Sequence, residues 1–223
     1  MNIKGDKRGS HVGIIASFSI FILFLIGIYA ATQPLFSTQK ENDLLIQYLE
    51  TEIMELVSGN LTIAIVESTG NCIEVANDRV GVSERGAIVK DPAGNFVYSE
   101  YNGKLMISPN SYSVLWISYS PEFPVITGSS SGCDVPYIES VRRSKEIFET
   151  RVVSAVNSFD AWKDTLNIPP GRVFSFFFQY YNGTVISAGE QEIEREVYAD
   201  ELPVEYVDKN ANKLYGKFGV KVW

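Results

Sequence analysis

Cys72 and Cys133 are the residues whose type most directly permits covalent chemistry. They lie about 60 residues apart, and a bond between them would restrict the unfolded chain and stabilise the fold by about 4 kcal/mol. Such a bond persists outside the cytoplasm; two buried free thiols are the alternative. Asn60-Leu61-Thr62 and Asn182-Gly183-Thr184 have the N-glycosylation acceptor pattern, and Asn182 falls where a tight turn would keep it accessible. His11 is the sole histidine, so the rest of the chain cannot build a His-based zinc site or a serine triad. Two cysteines cannot form a four-cysteine metal site, and no glycine-rich phosphate loop is present. Carboxylate pairs such as Glu192 and Glu194 read as a solvated face in an acidic chain. The expectation is a protein without catalytic, metal-binding or cofactor-binding residues, and not an enzyme.

Those residues must be positioned by a chain with uneven charge. Residues 1–11 hold Lys4, Lys7 and Arg8 against Asp6, while the remainder carries 16 basic and 26 acidic residues. An acidic domain repels phosphate backbones, so nucleic acid is not an expected partner. From Val12 to Ala31 run 20 uncharged residues, VGIIASFSIFILFLIGIYAA. As a helix this segment spans about 30 Å, the hydrocarbon thickness of a bilayer. Ser17 and Ser19 can bond back to helix carbonyls. A cleaved signal has a shorter apolar region before a small-x-small site, and Tyr29-Ala30-Ala31 places a bulky side chain there. The expectation is a single-pass anchor with the lipid bilayer as partner. The basic tail stays cytoplasmic, and residues beyond about 32 lie outside.

Lys7-Arg8-Gly9-Ser10, followed at once by the uncharged helix, resembles the class III signal of archaeal type IV pilins. SHVGIIASFSIFILFLIGIY, AWKDTLNIPPGRVFSF and PVEYVDKNANKLYGKFGVKVW are similar to segments of pilin-like archaeal surface proteins. The resemblance implies cleavage between Gly9 and Ser10 by a membrane peptidase. It also implies self-assembly, or assembly with other pilin-like subunits, through the freed helix. Ile14 stands where many pilins carry a glutamate.

Beyond the span, Gln33-Pro34 ends or kinks the helix, and Ser37 or Thr38 can cap a second one. Leu45, Tyr48, Leu49, Ile53, Leu56 and Val57 then return at helical spacing to form an amphipathic stalk, closed by Ser58-Gly59-Asn60. LTIAIVES and YSVLWISY read as strands. Asn102-Gly103 and Asn182-Gly183 each sit between two strand-like runs and mark hairpins, because Asn-Gly accepts positive φ angles. LYGKFGVKV alternates Leu214, Phe218, Val220 and Val222 on one face against Tyr215, Lys217 and Lys221 on the other. Val152, Ala155, Phe159, Trp162 and Leu166 predict one internal helix, stopped by Ile168-Pro169-Pro170-Gly171. The segment from Pro136 to Phe148 is ambiguous between strand and helix. GSSSG before Cys133 reads as a linker or long surface loop.

The expected fold is therefore α+β. A cytoplasmic tail (1–11), a transmembrane helix (12–31) and a stalk helix (32–59) precede an antiparallel, sandwich-like β-rich domain (60–223) containing one helix. The expected role is a membrane-anchored, non-enzymatic surface protein, as a pilin-like structural subunit. The alternative is a monomeric anchored ectodomain that binds another surface protein or a glycan.

Overall fold

The chain begins in helix. In the computed structural model the described residues are 8–68, 70–109, 113–189 and 197–223, with side chains undescribed over 8–12 and 33–39. Helix α1 covers Arg8–Val57 as one element of 50 residues. Pro34 was expected to end or kink it, and the helix continues. A proline removes one backbone hydrogen bond from the ladder, and the turns on either side propagate regardless. Two compact units divide the chain, Met1–Gln47 and Tyr48–Trp223. In the first unit, Gly13–Thr32 is long and apolar enough to cross a membrane, with mean hydropathy 2.5 and none of the window buried.

The second unit opens with the last turns of α1. Leu49, Ile53 and Val57 of the predicted stripe are buried there, whereas Tyr48 and Leu56 are exposed. Glu55 pairs with Lys145, and Asp200 lies close enough to Glu50 to act on its charge. Among the described residues eleven strands follow: β1 Ser58–Glu67, β2 Ile73–Val75, β3 Ala87–Lys90, β4 Ser99–Tyr101, β5 Leu105–Ile107, β6 Val114–Tyr119, β7 Tyr137–Phe148, β8 Phe174–Gln179, β9 Val185–Ala188, β10 Tyr198–Val207 and β11 Lys213–Val222. Eight of them form one sheet in the order β3-β6-β1-β7-β10-β11-β8-β9, and β2-β5-β4 form a second. The ladders are antiparallel, as expected, apart from β7 and β10. Those two run parallel, with Tyr206 opposite Ile147 and Val207 opposite Phe148. That contact joins residues far apart in sequence, and no local pattern encodes it.

Among the described residues the apolar core includes two regions on either side of β7 in the sheet order. Around β1, β3 and β6, residues Ala64, Val66, Val89, Leu115, Ile117 and Tyr119 pack with Ile73, Val75, Leu105 and Ile107 of the small sheet. Around β8 and β11 the core is aromatic: Phe174, Phe176, Phe178 and Phe218 are all buried. Gly219 is required by this packing, since a Cβ there would come within 2.4 Å of the Phe177 ring opposite it.

The single internal helix expected over 152–166 is broken. Helix α3 covers Glu149–Asn157, α4 covers Phe159–Trp162, and a 3-10 turn covers Lys163–Thr165. Ser158 ends α3, its hydroxyl donating to the Ser154 carbonyl at 2.7 Å. The break brings Phe159 and Trp162 onto β8, with Trp162 5.8 Å from the Phe176 ring and its indole N–H on the Ala155 carbonyl at 2.9 Å. The tryptophan, expected in the core, is half-buried and packs its ring against β8 from the edge. An additional short helix, α2 at Asn77–Val80, follows β2.

Cys72 and Cys133 are bonded, with 5.0 Å between their Cα atoms and a sequence separation of 61. The bond fastens the GSSSG segment, which is a surface loop, beside β2. There Asp134 donates its N–H to the Cys72 carbonyl at 3.0 Å, and Glu74 donates its own to the Asp134 carbonyl at 2.8 Å. Replacing both cysteines by serine should cost about 4 kcal/mol in chemical denaturation under oxidising conditions. A loss below about 1 kcal/mol would mean that the loop is held by its hydrogen bonds alone.

Candidate functional site

The residues singled out by sequence fall in four separate places. Lys7 lies outside the described residues, as do Glu192 and Glu194; Arg8, Gly9, Ser10 and His11 begin the backbone of α1. The apolar span follows them. Cys72 and Cys133 are joined at the start of β2. The two glycosylation acceptors are well separated: Asn60 is in β1 opposite Lys145, and Asn182 is in the turn between β8 and β9.

Two buried carboxyls leave no mark in the sequence, because no pattern shows which acidic residue of an acidic chain will be covered. Glu100, in β4, anchors the GSSSG loop. Its carboxylate accepts from the Ser130 N–H at 2.8 Å and from the Tyr98 hydroxyl at 2.9 Å. Hydrogen bonds from Ser130, with that of Tyr98, hold the Glu100 carboxyl below its ordinary value. Gly128 is needed alongside, since a Cβ there would overlap the Glu100 carboxyl group.

Glu50 is the opposite case. It sits on α1 at 8% exposure, and its Oε1 has no hydrogen-bond partner. Burial raises its pKa, and the neighbouring charge of Asp200 raises it further. Both effects disfavour the charged form of this carboxyl relative to an exposed one.

Several clefts open on the second unit. One of about 500 Å³ is lined by Phe159, Phe174, Lys163 and Arg172. The Lys163 ammonium is held by Asp160 at 2.5 Å, and that hydrogen bond raises its pKa. Another, of about 320 Å³, lies beside the β8–β9 turn and includes Tyr180, Tyr206, Glu149 and Asp208. Burial pushes the Tyr180 phenol up to about 12, so it stays neutral and able to donate. Among the described residues no group of three or more His, Cys, Asp or Glu side chains converges as metal ligands would. The tyrosine cleft does leave a trace in sequence, as Tyr180-Tyr181 directly before Asn182-Gly183-Thr184.

Comparison with protein-family models, with curated proteins and with solved structures gives no match.

Glu50 generates a stability prediction with a definite sign. A carboxyl whose pKa is raised by folding disfavours the folded state once pH exceeds its unfolded value. Glu50→Gln should therefore stabilise the protein at pH 7, because the amide carries no charge to desolvate. The gain should shrink as pH falls and vanish below about pH 4, where both side chains are neutral. Denaturant titration of both proteins at pH 4 and pH 7 reads the effect. A less stable variant at pH 7 would show that the carboxylate is paired and useful.

Proposed function

We propose that this protein is a single-pass, membrane-anchored surface protein without enzymatic activity, with its sandwich-like domain outside the cytoplasm, and that it serves as a pilin-like structural subunit. The observation that carries the reading is the 20-residue segment Gly13–Thr32, with mean hydropathy 2.5 and none of it covered by protein. Side chains such as Ile14, Phe18, Leu23 and Ile26 stand open along it. In water each would forgo about 1.5–3 kcal/mol of burial, and in hydrocarbon it forgoes nothing.

Two further observations agree on the side of the membrane. Lys4, Lys7 and Arg8 precede the span, which favours retention of that end in the cytoplasm. The Cys72–Cys133 bond lies in the part that would then be outside, where such bonds persist. The pilin-like role rests on the Lys7-Arg8-Gly9-Ser10 signal: removal of the basic tail would leave an apolar helix free to pack laterally against other copies.

The mature N-terminus tests this reading. Mass spectrometry of membrane-extracted protein should find chains that begin at Ser10, and Gly9→Leu should block that cleavage. An intact Met1 on every mature chain would contradict the pilin-like role and leave a monomeric anchored ectodomain.

A further inference from the structure

The two acceptor sequences differ sharply once folded. Asn60-Leu61-Thr62 is built into β1. Thr62 is only 6% exposed and is flanked on both sides by paired strands, Tyr119 of β6 and Arg143 of β7. The threonine, which a glycosyl transferase recognises together with the asparagine, is held between two paired strands at the floor of a groove, which restricts approach to it. Asn182-Gly183-Thr184 is instead the tip of a hairpin, and all three residues are exposed.

That tip has a defined geometry. Tyr180 N–H donates to the Thr184 carbonyl at 2.8 Å, and Gly183 N–H donates to the Tyr180 carbonyl at 2.9 Å. Gly183 has a φ of +83°, a value that glycine adopts without strain. The Thr184 N–H donates to Asn182 Oδ1 at 3.0 Å, which fixes the carboxamide and leaves its Nδ2 without a hydrogen bond among the described residues. Because Tyr180 and Thr184 are directly paired, their side chains share one face of the hairpin. That face ends in the 320 Å³ cleft, to which Asn182 also contributes. The half-buried Tyr180 ring offers the aromatic surface there, backed by the buried Tyr206 with 5.7 Å between ring centroids and bordered by Glu149, Asp208 and Lys209.

Such a cleft suits a pyranose ring. The C–H face of the sugar is apolar and lies well on an aromatic ring, and its hydroxyls can bond to the surrounding carboxylates and ammonium. We propose that Asn182, and not Asn60, carries an N-linked saccharide whose first ring lies in the Tyr180–Tyr206 cleft. In the modification, Asn182 Nδ2 bonds to the anomeric carbon of a lipid phosphate-linked sugar. The bond from that carbon to the carrier oxygen breaks, its electron pair stays with the phosphate, and the amide gives one proton to a base of the transferase. The sugar then covers aromatic surface at the open end of the β8–β9 hairpin. The proposal rests on the extracytoplasmic placement of the domain, where such transferases act.

The test uses the full chain recovered from membranes of the cells that make it, with intact cells exposed to protease in a parallel sample to report placement. Peptide sequencing by mass spectrometry should find a saccharide on Asn182 in the majority of copies and an unmodified Asn60. Thr184→Val removes the acceptor hydroxyl and keeps Asn182, so the saccharide should be absent from that variant. Hydroxyl-radical footprinting should then label Tyr180 more strongly in the variant than in the native chain. A bare Asn182 in a domain that protease reaches overturns the proposal alone. A domain that protease cannot reach overturns the outward placement as well. Equal labelling of Tyr180 in the two chains overturns the cradle while retaining the modification.

Discussion

Everything in this protein depends on how one long helix satisfies its apolar side chains. In Tyr48–Trp223 the answer is internal: Leu49, Ile53 and Val57 are covered by the domain. In Met1–Gln47 the span Gly13–Thr32 finds no protein cover at all. An apolar surface of that length is stable only against something equally apolar. The proposed functions of the remaining parts follow from lipid supplying it. They are a tail that stays inside, a domain that reaches an oxidising compartment, and a turn exposed to a transferase.

Within the domain, the sheet resolves a geometric problem at its centre. The long β7 is paired along its length with β1, yet meets β10 only through Ile147 and Phe148. Where those strands meet, Phe148 and Val207 join Leu61 and Phe123 in a small buried cluster. The polar devices lie at the margins of this packing. Glu100 secures the GSSSG loop, the disulfide closes that loop onto β2, and Arg151 reaches both Glu122 at 2.8 Å and the Ser58 carbonyl at 2.6 Å. Glu50 differs from these carboxyls in that its Oε1 has no hydrogen-bond partner among the described residues.

Much of the architecture was legible where short-range physics dominates. Asn102-Gly103 and Asn182-Gly183 located the β4–β5 and β8–β9 hairpins, since their turns need positive φ and glycine provides it; the β10–β11 hairpin has no such signal. The alternation in β11 correctly divided Phe218, Val220 and Val222 from the exposed Tyr215 and Lys217. β7 was ambiguous because Glu139 to Arg143 are all exposed, so no alternation of burial is written into its residues. The helix over 152–166 misled for a different reason. Phe159, Trp162 and Leu166 keep helical spacing across Ser158, but tertiary packing against Phe174 and Phe176 dictates a break there. Of the candidate site residues, the cysteine pair was legible because the chain has only two. The difference between Asn60 and Asn182 was not, because it depends on which strands flank Thr62.

Alkaline carbonate extraction of membranes from cells that make the full chain tests the central claim most directly. High pH strips proteins held by charge or by contact with other proteins and leaves those whose apolar helix lies in hydrocarbon. The account predicts that the protein stays in the membrane pellet and is released only by detergent. Recovery of the full-length chain in the aqueous supernatant would contradict it.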